Sequence, residues 1–112
     1  MLHHLKLATV PFNAIMDGSK TIESRLFDEK RQKIAVGDEI IFTNREDIAR
    51  TVKVKVINLH RAATFHDLFM RLSPAKFGGE SVAWLDSQIN EFYTVADQHK
   101  NGVLGVEFER VS

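Results

Sequence analysis

Hydrophobic positions recur along the chain with two different periods, and each period predicts its own element. Leu5 and Leu7 stand two apart within residues 3–8, which predicts a short first strand with both side chains turned inward. Phe12, Ile15 and Met16 then fall on one helical face, with Pro11 suited to the first turn and Gly18 placed to end the helix. Residues 18–25, GSKTIESR, read as an extended segment, and the charged run DEKRQK follows at 28–33. VGDEIIF (36–42) sets a Gly-Asp turn directly before another strand. The clearest strand is TVKVKV (51–56), where Val52, Val54 and Val56 point one way and Lys53 and Lys55 the other. Ile57 breaks that phase, which predicts a bulge or bend where a sheet curls.

From residue 64 the period becomes helical. Thr64 is placed to cap a helix whose Phe65, Leu68, Phe69 and Leu72 form its buried stripe, with Asp67 in the first turn. SPAKFGG (73–79) reads as a loop, and residues 80–93 as a second amphipathic helix burying Val82, Leu85, Ile89 and Phe92. A short capped turn over 94–100 ends at Gly102, and VLGVEFERV (103–111) supplies a last strand with Leu104, Val106 and Phe108 inward. The strands are short and joined by loops rather than regular crossover helices. The expected class is therefore α+β, a small mixed barrel with flanking helices, and not a doubly wound sheet.

Composition narrows the function classes. One domain spanning residues 1–112 is expected, long enough to bury roughly two-thirds of its surface without staples. The absence of cysteine removes disulfides, thiolate metal sites and cysteine nucleophiles together. Five histidines lack any HxH or HExxH spacing, so no metal is expected. Lys plus Arg equals Asp plus Glu at 15 each, which argues against long-footprint nucleic-acid binding and leaves room for a short strand or small ligand. No run approaches a membrane span and the start lacks a secretory core, so the expected location is cytoplasmic.

The segment GSKTIESR carries the question of function. Strict alternation puts Thr21, Glu23 and Arg25 on one face and Lys20, Ile22, Ser24 and Leu26 on the other. One reading is a solvated edge strand whose Glu and Arg screen one another, worth well under ~1 kcal/mol. The other is that these charges line a ligand site.

The ordered set GSKTIESR (18–25), VGDEIIFTN (36–44), KFGGES (76–81), INEFY (89–93) and NGVLGVEFE (101–109) resembles the ASCH domain family, whose barrel is similar to that of PUA RNA-binding domains. The resemblance implies a PUA-like barrel with a cleft beside it, lined by Lys20, Glu23 and Arg25, that accepts RNA or a modified nucleoside. It implies no cofactor. Some small bacterial members are amidohydrolases acting on N(4)-acetylated cytidine, using the motif lysine, a threonine three residues on and a later glutamate. Those roles would fall to Lys20, to Glu23 where the threonine would stand, and to Glu80. Arg45 and Tyr93 are further candidate ligand contacts, the first for phosphate and the second for stacking on a base. Arg50, Lys53, Lys55 and Arg61 either continue a phosphate-tracking surface or form the solvent face of a hairpin. Trp84 is a second stacking candidate, and the FGG turn either lets backbone approach a ligand or permits a tight entry into the next helix. A protein-interaction module is the remaining alternative.

Overall fold

The computed structural model describes residues 1–111. Along the chain run β1 (Leu2–Leu7), α1 (Thr9–Met16), β2 (Ile22–Leu26), β3 (Glu39–Asn44) and β4 (Asp47–Ala62). They are followed by α2 (Phe65–Arg71), α3 (Val82–Ile89), α4 (Val95–Asn101) and β5 (Val103–Arg110). The strands form one sheet in the order β1-β3-β4-β5-β2, with β1 parallel to β3 and every other pair antiparallel. This is the expected α+β class, a five-strand curled half-barrel of PUA-like form with helices packed against it.

β4 makes the curl. Its first part pairs with β3 and its second with β5, and the register slips between Val56 and Asn58. Ile57, the residue that broke the Val-Lys phase, is left at the slip with its side chain exposed. An extra residue in one strand bends and twists it, so one strand serves two partners. β4 also continues to Ala62, beyond the expected 51–56, so His60 sits on the strand opposite Gly105.

Two apolar clusters lie on the two sides of the sheet. Leu5, Leu7, Ile40, Phe42, Val54, Val56, Leu104 and Val106 fill the concave side, where Phe12 and Ile15 of α1 close it. Ile22, Phe65, Leu68, Phe69, Phe77, Leu85 and Val103 form the second cluster, where α2 and α3 cover the outer face of β2 and β5. β5 is thus buried on both sides. At Gly105 a Cβ would stand 3.2 Å from Leu68 and 3.3 Å from Ile22, so glycine is what lets α2 sit this close to the sheet.

Helix caps follow their sequence signals. Thr64 accepts from the Asp67 amide, Ser81 from the Trp84 amide, and Thr94 and Asp97 form a reciprocal capping box. That box corrects the expectation of one helix through residue 93. Thr94 is extended, with φ −82° and ψ 162°, so the chain must leave α3 before α4 begins. α3 ends at Ile89, and Phe92, expected to be buried, lies outside it and is 68% exposed.

β1 and β2 are the two free edges of the sheet, and side chains stitch them. Arg25 donates to the Lys6 carbonyl at 2.7 Å, and Lys30, just beyond β2, donates to the His4 carbonyl at 3.0 Å. No helix among the described residues is long and apolar enough to cross a membrane.

Candidate functional site

Lys20 escapes strand alternation because it lies before β2. It forms an isolated bridge with Phe77, while its amide donates to the Ala14 carbonyl and the Thr21 amide to the Lys76 carbonyl. The Lys20 side chain therefore joins Glu23 and Arg25 instead of pointing away from them. Its ammonium stands 3.1 Å from Glu23 Oε1, and Arg25 Nε donates to Glu23 Oε2 at 2.7 Å. The solvated-edge reading fails on burial, since Lys20 and Glu23 are only 5% and 6% exposed.

The electrostatics follow from that burial. Desolvation pushes the Glu23 carboxyl up, but the Lys20 ammonium and the Arg25 guanidinium together outweigh it and hold the group below its ordinary value. For Arg25, burial opposes the charge, and the Glu23 carboxylate more than restores it, so its pKa is raised. The trio is thus two cations sharing one anion, with one positive charge in excess. Lys20 spends two of its three donors on Glu23 and on the Phe77 carbonyl, at 3.1 Å, and Arg25 spends Nε and one Nη2 hydrogen on Glu23 and Lys6. One ammonium hydrogen of Lys20, the second Nη2 hydrogen of Arg25 and its Nη1 pair are left over.

These residues form the floor of a cleft of about 550 Å³. One wall is the end of β1 and the start of α1, with Leu7, Val10 and Pro11. The other is α2 to α3, with Phe77, Trp84, Leu85, Phe92 and Tyr93. Arg45, on the exposed β3–β4 turn, lines the rim, and Ser24 lies on the floor beside Glu23. Tyr93 is held by its ring, 5.2 Å from that of Phe65.

Six of the candidate residues therefore line one cleft: Lys20, Glu23, Arg25, Arg45, Trp84 and Tyr93. Glu80 does not join them; it is exposed ahead of α3 and outside the cleft lining. The other basic candidates are also elsewhere. Arg50 lies over the Phe12 ring at 5.0 Å and donates to Asn13, and Arg61 lies over the Phe27 ring at 3.9 Å. Lys53 and Lys55 occupy the outward face of β4.

One contributor escaped the sequence reading, and the FGG turn takes a role other than the two expected of it. The FGG turn holds the site, because the Phe77 carbonyl anchors Lys20, and at Gly78, with φ +79°, an added Cβ would stand 3.3 Å from the Lys20 Cβ. Phe92 reaches the cleft because α3 stops early. The capping signal at Thr94 and Asp97 was the letter pattern from which that stop could have been read. His3, His60 and His66 each pair with a single carboxylate, on Asp38, Glu107 and Asp86. Among the described residues no group of three or more His, Cys, Asp or Glu could hold a metal ion.

Known proteins place this architecture. The sequence model of the ASCH domain matches residues 5–110. No curated protein matches the chain. The crystal structure of the hypothetical protein PH0355 is 29% identical with a TM-score of 0.87, the alignment covering 99% of this chain and 100% of that one. Protein PF0455 from Pyrococcus furiosus, solved by NMR, is 26% identical with a TM-score of 0.77 over 100% and 99% of the two chains. An ASCH domain from Lactobacillus crispatus, at 17% identity and a TM-score of 0.68 over 97% and 79%, shares the fold. The chain belongs to the ASCH domain family.

Proposed function

We propose that the chain binds RNA or a nucleoside-like ligand in the cleft between α1 and α3. The observation that carries this reading is the pairing of a cationic floor with aromatic walls. A base stacks on rings such as Trp84 and Phe92. Its carbonyl oxygens, or a phosphate, accept from the leftover donors of Lys20 and Arg25, and Arg45 meets the sugar-phosphate at the rim. Titration of the protein with nucleosides and short single-stranded RNA tests it. Binding weakens with salt and in Arg45→Ala, and Trp84→Ala loses both ligands. If neither salt nor Trp84→Ala changes binding, the reading is wrong. Arg25→Ala is a poor probe, because Arg25 also stitches the barrel edges.

A second reading is hydrolysis of an acyl group on N(4)-acylated cytidine. The buried Lys20 ammonium beside an ionised Glu23 favours it, as a donor to a developing oxyanion. Glu23 stands where that chemistry's threonine would be, and Glu80 lies outside the cleft, so a water would have to be the nucleophile or Ser24 take its place. Turnover of N(4)-acetylcytidine that disappears in Lys20→Met supports it; no turnover across several acylated nucleosides removes it.

A further inference from the structure

The seam between β1 and β2 is built to receive oxygen atoms. The Leu7 carbonyl accepts from the Arg45 amide and the Met1 carbonyl from the Glu39 amide, so odd-numbered residues of β1 bond towards β3. Alternation turns the amides of His4 and Lys6 to the free edge. Their carbonyls are already taken by Lys30 and Arg25, and no strand lies beyond to accept their N–H groups. A peptide strand pairing here would need those carbonyls as acceptors. What remains on offer is donors.

Beside these two residues lies a hollow of about 450 Å³, distinct from the cleft and lined by His4, Lys6, Arg25, Lys30, Arg31 and Thr43, with no carboxylate among its lining residues. Glu23 and Asp28 compensate Arg25 and Arg31 from outside the lining, while Lys6 and Lys30 have no carboxylate within ion-pair distance among the described residues. Arg31 also keeps a buried Nε without a partner. In a chain whose charges otherwise balance, this is a concentrated excess of positive charge. Arg25 lines both this hollow and the cleft, so the two adjoin at one residue.

We propose that the seam is a phosphate-binding subsite, and that its phosphate belongs to the polynucleotide strand whose nucleoside occupies the cleft. The second half rests on the reading above. The ligand oxygens accept from the His4 and Lys6 amides and from the Lys6 and Lys30 ammonium groups, and the strand leaves the cleft over Arg25.

The test has two arms. In the first, inorganic phosphate is titrated into the protein and amide resonances are followed by 1H–15N NMR. The His4 and Lys6 amides shift in the wild type, and the His4 shift is lost in Lys6→Gln/Lys30→Gln. In the second, single-stranded RNA of about eight nucleotides binds this double variant about tenfold more weakly, with a salt slope shallower by about 0.7 for each phosphate that is no longer neutralised. Free nucleoside binds it as well as it binds the wild type. Lys53→Gln/Lys55→Gln removes the same charge from the far face of β4 and serves as the control.

Absence of any shift at His4 and Lys6 overturns the seam site. Equal RNA losses in the two lysine pairs also overturn it, because the effect is then general charge. A wild type that binds phosphate at the seam, yet neither nucleoside nor RNA, supports the subsite and refutes both the strand as its source and the cleft reading.

Discussion

Glu23→Gln is the sharpest perturbation of the cleft floor. The substitution keeps the shape of the side chain and removes the one anion that two buried cations share. Lys20 and Arg25 retain their carbonyl partners, Phe77 and Lys6, but face each other as like charges with little water to screen them. Removing one member of a buried pair costs about 3–5 kcal/mol, which in a domain of this size lowers Tm by about 12–20 °C. The internal control is Glu39→Gln. The Glu39–Lys53 pair is 3.8 Å apart with side chains 41% and 45% exposed, so its loss costs under ~1 kcal/mol. Thermal unfolding followed by circular dichroism at about pH 7 measures both variants against the wild type, and Lys20→Met/Glu23→Gln is less destabilised than the summed singles by about 1–3 kcal/mol. Since the folded-state pKa of Glu23 lies below 4.5, its contribution is complete above that value and disappears as pH falls through the folded value. The deficit of Glu23→Gln is therefore unchanged down to about pH 5 and shrinks only in stronger acid. A Tm loss no larger than that of Glu39→Gln would refute the reasoning, because the trio would then be solvated and the cleft would have no desolvated cationic floor.

Other parts of the structure give shorter tests. Gly105→Ala forces Leu68 and Ile22 to yield and lowers stability by about 1–3 kcal/mol in denaturant unfolding; a neutral result means α2 is free to move off the sheet. Asp38 is held at about 2, chiefly by its hydrogen bond with His3 at 2.8 Å, so its contribution is complete above 3.8 and is lost as pH falls towards 2. In Asp38→Asn, acid titration of stability is flatter across that interval than in the wild type. Phe92→Ala leaves Tm unchanged, because the ring is exposed, and weakens ligand binding by about 1–3 kcal/mol if the ring stacks on a base, as isothermal titration would show.

How much of this was legible depended on the range of the interactions. The Val-Lys alternation of β4, the bulge at Ile57 and the Thr64 cap are local signals, and the structure reproduces them. The length of α3 was misjudged because Phe92 fits the helical stripe, whereas the capping box at Thr94 and Asp97 imposes the break. The convergence of Lys20 with Glu23 was invisible to strand periodicity, which puts them on opposite faces. It depends on a bridge to Phe77, 57 residues away, and the FGG letters reveal nothing of that contact. Arg50 and Arg61 lie off the cleft for a similar reason, since the rings that hold them, Phe12 and Phe27, are distant in sequence.

Burial of the Lys20–Glu23–Arg25 trio does not by itself imply a ligand, because structural ion networks are also buried. Two features separate the cases. A network serving only stability would balance its charge and use its donors, and apolar side chains of the same volume fill such a space with less desolvation. Here one carboxylate serves two cations with donors unspent, and both cations line a hollow walled by Trp84, Phe92 and Tyr93. Structural bonds fix these groups all the same. The Phe77 carbonyl holds Lys20, and Arg25 is tied across the barrel seam to Lys6. The bonds that stabilise the fold therefore also set the cations in place before a ligand arrives, which reduces the ordering cost of binding. An excess positive charge, fixed and partly desolvated over an aromatic cleft, suits an electron-rich planar ligand better than it suits a fold that needs only to stand.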